Sequence, residues 1–375
     1  MAQVYLFVLG PEGCGVPCQA MVVKYNSDDG LIVTSLKFDS TIIPMVVNNA
    51  EFFLLLGVNV GISAAYHTRV FRPEEFGCTL PWHLTSTTGG LMTFFVVFYN
   101  SNCFARYNDL YAVTKEMMGA ILELASSLRG RLPDKHYQRR AIRFVLASCF
   151  VFFFERTKGG ISDNEWNQCK DLSLLTSREI EQLMSVGDMN PSFHCLHWAL
   201  EVIVAGTPDV ADHDDMINAL FDKVHRIRSC HAKIRDTLDL PMPFQYFHLM
   251  SFMMFLNLAL WSYALAISDP PSYFTPVIYL FIQMIFQGMR ELSAALADPF
   301  GDDDVDFPIT DWLWQIVGMV VRLLEDDFDA QAGVNTEEAL PVPPMDDDEL
   351  AEFLEEAMRS KRTKKVVDLD DGDGL

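Results

Sequence analysis

The sequence predicts an all-α, multi-pass membrane protein with four transmembrane helices and a large helical cytosolic region, on three observations. Four runs, at 40–68, 76–105, 243–268 and 270–289, are nearly free of charge. Between them, apolar residues recur at spacings of three and four, the helical period, and nothing alternates as a strand would. Half of the 375 residues are hydrophobic and 28 are phenylalanine, a loading suited to surfaces that face lipid or line an apolar conduit.

The first 39 residues form an N-terminal segment rich in Gly and Pro at its start, without the basic head and apolar core of a secretory signal. A bilayer core of about 30 Å needs about 20 helical residues, so spans are expected at about 41–68, 84–106, 243–268 and 270–292. Glu51 is the only charge in the first run, and the last two are joined by Asp269 alone, which makes them an antiparallel hairpin. The apolar run 144–154 lies between Arg143 and Glu155, too short to span, and is expected as a buried helix outside the membrane. Helices are also expected over 111–128 and 214–238, and an amphipathic one over 312–324.

Arg129, Arg131, Lys135, Arg139, Arg140, Arg143, Arg226, Arg228 and Arg235 fall in the region between the two hairpins, which the positive-inside rule places on the cytoplasmic side with both termini. The net charge of −23 is uneven: from Glu325 onward 17 acidic residues stand against 5 basic ones. The helical membrane domain is taken as 40–328 and the tail, 329–375, as disordered or folding on a protein partner.

Several function classes are disfavoured. No dominant basic surface exists for nucleic acid. There is no Gly-rich phosphate loop, HExxH or nucleophile elbow, and lone histidines such as His248 read as packed residues, so no enzyme is expected. The eight cysteines are scattered, several inside apolar runs, and read as small buried hydrophobes; Cys14 and Cys18 are a weak metal or disulfide candidate.

Two patterns carry chemistry. After the last span comes Asp298-Pro-Phe-Gly-Asp-Asp-Asp-Val-Asp-Phe307, where Asp302, Asp303, Asp304 and Asp306 repel one another unless solvated or gathered around a cation. Calcium suits such a flexible oxygen-rich turn better than magnesium. The spacing is not that of an EF-hand, since Phe307 stands where the turn glycine belongs. In the second span, Gly90, Phe94 and Phe98 share one side of a helix, with Asn100, Asn102 and Arg106 beyond them. That side either packs against another helix or, with several copies around an axis, makes an apolar constriction opening on a polar vestibule.

The run 90–109 together with 298–307, in that order and separation, resembles the bestrophin anion channels, and the layout is similar over about 22–328. Residues 25–40 look more like members from algal and other photosynthetic lineages. The resemblance implies a homopentamer in a lipid bilayer, of the plasma membrane or the thylakoid, with one central pore for small anions such as chloride, bicarbonate or nitrate. It places Phe94 and Phe98 on two neck positions and Gly90 on a third, where animal members carry a bulky apolar residue; Tyr107 replaces a tryptophan, a change of packing. It implies a Ca2+ site with side-chain ligands Asp303 and Asp306 and backbone ligands Ala295 and Asp298, and a cytosolic constriction on the helix carrying Met216, Ile217 and Leu220. The alternative is a membrane scaffold, or a pore module gated by a partner or a fused domain.

Overall fold

Eleven α-helices, and no strand among the described residues, make up the computed structural model, which describes residues 30, 38, 41–158, 160–185, 190–207, 213–240, 243–268, 274–301 and 305–325. In chain order they are α1 (Ile42–Val47), α2 (Ala50–His67), α3 (Trp82–Arg131), α4 (Lys135–Lys158), α5 (Asp163–Asp171), α6 (Ser177–Ser185), α7 (Pro191–Gly206), α8 (His213–Asp239), α9 (Phe244–Ala266), α10 (Thr275–Ala297) and α11 (Ile309–Glu325). The tail from residue 326 lies outside the described residues.

Three boundaries differ from the expectation. The first apolar run is broken at Asn48 and Asn49, whose N–H groups close the end of α1 on Pro44 and Val46 carbonyls; uncharged asparagines leave no mark in a hydropathy reading. The second span continues as one 50-residue helix through Arg131, because no proline interrupts it; at 1.5 Å per residue it runs about 75 Å, well past a bilayer. The last two apolar helices are separated by residues 267–274 rather than by Asp269 alone. Pro270, Pro271 and Pro276 favour a late start, and Pro276 lies in the first turn of α10, where a missing N–H costs nothing.

Two sets of buried side chains form. One gathers Leu55, Met92, Val96, Tyr99, Cys103, Met250, Met254, Leu258, Trp261 and Tyr279 from α2, α3, α9 and α10. Its helices are tied by polar side chains reaching neighbouring backbones: Asn59 Nδ2 donates to Ser262 O at 2.7 Å, Gln283 Nε2 to Phe52 O at 2.8 Å and Tyr279 OH to Leu258 O at 3.1 Å. α2 and α9 are long and apolar enough to cross a membrane. α10 carries Gln283, Gln287, Arg290 and Glu291, and the first half of α3 is rich in Ser, Thr and Asn, which lowers their hydropathy.

The other set is larger and lies in the second half of α3 with α4, α7, α8 and α11. α4 is buried continuously from Phe144 to Phe153, as a helix apolar all round must be, so the short run at 144–154 is a core helix. Arg143 grips Glu179 with two bonds, 3.0 and 2.8 Å. Burial alone would raise the Glu179 carboxyl, but Arg143 and Thr176 outweigh it and hold its pKa below the ordinary value. The cysteines at 103, 149, 169, 195 and 230 are free and buried, as expected of small hydrophobes.

His231 in this core stacks on Phe152, ring centroids 4.3 Å apart, and burial pushes its pKa down to about 3. The folded protein therefore refuses a proton that the unfolded chain takes up below about pH 6.5. The stability this confers is complete above that pH and is lost at about 1.4 kcal/mol per unit as pH falls toward 3. Unfolding midpoints measured at pH 7 and pH 5 should differ by less in His231→Phe than in the native protein; equal differences would remove His231 as the source.

Candidate functional site

The first half of α3 is two-faced. Met92, Val96, Tyr99 and Cys103 are buried against α9 and α10, which turns Phe94 and Phe98 outward, 64% and 52% exposed. Four residues apart, the two rings stack with centroids 6.2 Å apart and planes within 10°. Gly90 continues the same face one turn earlier, with no atom within 4 Å of where a Cβ would stand. The three residues singled out by spacing therefore share one open face. Behind it, Tyr246 of α9 meets the Phe98 ring edge-on at 6.3 Å and also lies against Phe95 and Tyr99. This aromatic backing was invisible in the sequence, because it joins residues almost 150 positions apart.

Below this face the polar residues turn to neighbouring helices. Asn100 Nδ2 lies 3.6 Å from Met289 Sδ of α10. Arg106 Nε donates to Ala297 O at 3.1 Å and its Nη1 to Leu240 O at 2.7 Å, so one guanidinium serves the carboxyl ends of both α10 and α8. Carbonyls there are exposed and carry the negative end of the helix dipole.

The turn after α10 is partly described: Asp302, Asp303 and Asp304 lie outside the described residues. Asp298 ends the helix in an extended conformation, and Phe307 N donates to Pro299 O at 2.9 Å, closing the turn. Pro299 has no N–H to give to the Ala295 carbonyl four residues earlier, so the α-helical bond to that oxygen cannot form. Asp306 is buried, and its Oδ2 lies 2.8 Å from where a Gly301 Cβ would be, so glycine at 301 makes room for the inward carboxylate. These features suit a calcium site whose backbone ligands are Ala295 and Asp298, although among the described residues no three His, Cys, Asp or Glu side chains cluster as metal ligands.

An aromatic stack that the sequence reading missed anchors this turn. Phe307 packs on Tyr107 at 4.7 Å, Phe300 at 5.5 Å, Trp312 at 5.6 Å and Tyr111 at 5.9 Å. The Lys115 ammonium sits 3.4 Å over the Trp312 ring, and burial lowers its pKa. Tyr107 also donates from its hydroxyl to Val305 O at 3.0 Å, so its presence is more than a change of packing. The available signal was the spacing of Tyr107, Tyr111 and Lys115 at four residues, which puts them on one side of α3.

Leu220 is fully buried within its own subunit, and Met216 and Ile217 are half-buried near the start of α8. Four of the nine basic residues named above pair with carboxylates. Arg226 bonds to Glu116 and Glu123 at 3.3 and 3.1 Å, which raises its pKa, while Arg139 pairs with Glu325, Arg143 with Glu179 and Arg235 with Asp236. Glu116, Glu123, Glu179 and Glu325 stand on other helices than their arginine partners, which net charge along the sequence did not reveal, whereas Asp236 follows Arg235 on α8.

A family model described as "Bacterial/Fungal Bestrophin protein" matches residues 21–319. A Salmonella typhi protein named "Voltage-dependent anion channel-forming protein YneE" is 22% identical over 265 residues, 68% of this chain and 83% of its own length. "Bestrophin-6" of Caenorhabditis elegans is 20% identical over 272 residues, covering 69% of this chain and 71% of its own. Among solved structures, a variant of a bacterial bestrophin homologue from Klebsiella pneumoniae superposes with a TM-score of 0.65 at 19% identity, over 75% of this chain and 99% of that one. The matched model describes bacterial and fungal members, so the photosynthetic lineage suggested by residues 25–40 rests on resemblance alone. With most of its length matched by that family model, and its helices arranged as in the bacterial homologue, this chain belongs to the bestrophin family.

Proposed function

We propose that this protein is a passive anion channel, a homopentamer that crosses the bilayer four times per subunit, with the outward face of α3 lining its neck. The observation that carries this reading is the placement of Phe94 and Phe98 on one open face, clear of their own subunit's core and braced by Tyr246. A relative named as anion channel-forming and a shared fold support it. Exposed Phe53, Leu54 and Val58 on α2, Phe252, Phe255 and Leu260 on α9, and Phe281 and Ile285 on α10 suit contact with lipid.

In a ring of such subunits the phenylalanines form a narrow, poorly wetted constriction. Their partly positive edges favour a weakly hydrated anion over a cation, and an apolar ring gates by dewetting. Gly90 leaves the third level open, so this neck has two aromatic levels rather than three apolar ones. With Arg139, Arg143, Arg226 and Arg235 paired to carboxylates, selection falls on the neck more than on an attractive vestibule. Met216 and Ile217 are the candidates for a second constriction.

For calcium, Asp303 and Asp306 would supply carboxylates and Ala295 and Asp298 carbonyls. When bound, the ion supplies the positive centre that lets these oxygens sit together. Asp306 already points inward over Gly301, and Pro299 withholds a donor from Ala295. Purified protein in liposomes should release chloride or bicarbonate faster with micromolar free calcium than without, and calcium should raise the unfolding midpoint; Asp303→Ala should lose both responses while keeping basal flux. Flux without any calcium response would retain the pore and reject calcium gating.

A further inference from the structure

Two consecutive residues of α3 receive what the cytosolic side sends toward the neck. Arg106 and Tyr107 lie eight and nine residues after Phe98, about 12 to 14 Å down the helix axis. The turn that follows α10 has two described limbs, 297–301 and 305–307, which Phe307 N closes on Pro299 O at 2.9 Å. Arg106 takes the outgoing limb through Ala297 O at 3.1 Å, and Tyr107 takes the returning limb through Val305 O at 3.0 Å. The Tyr107 ring also stacks on Phe307, and the second prong of Arg106 reaches Leu240 O at the end of α8.

Adjacent residues on a helix point about 100° apart. A single contact would let α3 turn about its axis, whereas two at nearly the same level and different angles fix its rotation. Between these contacts and the neck α3 is unbroken, so a rotation set at 106–107 is delivered to Phe94 and Phe98. The rotation decides whether those rings point at a shared axis.

We propose that Arg106 and Tyr107 form a two-point latch that sets the rotational phase of the pore helix, and with it the open probability of the neck. This rests on the channel reading above. The latch as built holds both rings outward, the narrow arrangement, so releasing it lets them swing off the axis. The two are positioning residues, since neither lies on the neck face.

The test is Tyr107→Phe, which keeps the ring stack on Phe307 and removes only the hydroxyl that bonds Val305 O. In single-channel recordings its open probability should rise about fivefold, the weight of one ordinary hydrogen bond, with unit conductance and the chloride-to-nitrate permeability ratio unchanged because the neck rings are intact. A role in stability alone would lower the unfolding midpoint and leave open probability as in the native protein, which would overturn the latch. Hydrogen exchange on the same pair of proteins gives a second readout independent of current. Faster exchange over both 299–307 and 90–105 supports the coupling, and a change confined to 299–307 overturns it. If the native protein carries no current, the channel reading fails and with it the gating role, while exchange still shows whether the turn and the helix are linked.

Discussion

Replacing Phe94 and Phe98 together by alanine should produce a folded protein whose resting chloride flux is about tenfold higher or more, equivalent to about 1.4 kcal/mol off the barrier at the neck. Both side chains are more than half exposed within the subunit, so truncation removes little from its core. The loss falls on the apolar levels that make water leave the constriction. Selectivity should fall with it, since cations are kept out by the same unwetted rings. Each single variant should give a smaller effect, because one aromatic level remains. The check is flux from liposomes, with the oligomer size of each variant measured beside it; native-like flux from a correctly assembled double variant would reject the neck.

Gly89 and Gly90 should respond in opposite ways to the same change. A Cβ on Gly89 would run into the six-membered ring of Trp261, a large side chain buried between α3 and α9 with little room to retreat. Gly89→Leu should therefore separate α3 from α9 and cost at least the ~1–3 kcal/mol typical of overpacking, lowering yield and the unfolding midpoint. Gly90 has open space, so Gly90→Leu should fold. It should also lower unit conductance, because a third apolar level is added to the two aromatic ones. Yield and unfolding midpoint check the first, and single-channel conductance the second. A stable Gly89→Leu protein would mean that α3 and α9 do not meet as described, and a Gly90→Leu channel of native conductance would take Gly90 off the pathway.

Much of the fold was legible because lipid demands long stretches without charge, and helical periodicity is strong where apolar and polar faces separate. The core helix around Phe150 could be read from its length alone: eleven apolar residues between Arg143 and Glu155 are too few to span. The continuity of α3 was harder to see, because its residues change character at Arg106 from apolar to amphipathic while the backbone does not. The break at Asn48 and the late start of α10 at Thr275 were missed because hydropathy reports charge, not capping or proline geometry.

The site divides in the same way. Gly90, Phe94 and Phe98 were found from a spacing of four, a property of one helix. What braces and couples them was not local. Tyr246 behind Phe98, the stack of Tyr107, Phe307 and Trp312, and the pairing of Arg226 with Glu116 and Glu123 all depend on which helices meet.

The most direct measurement is the reversal potential of current through the native protein in a planar bilayer under a tenfold chloride gradient, with a large organic cation as the counter-ion. An anion-selective pore predicts reversal close to the chloride equilibrium potential, about 59 mV from zero for a monovalent ion. Reversal near zero, reversal toward the cation's potential, or the absence of current from assembled protein would contradict the account and favour a scaffold in its place.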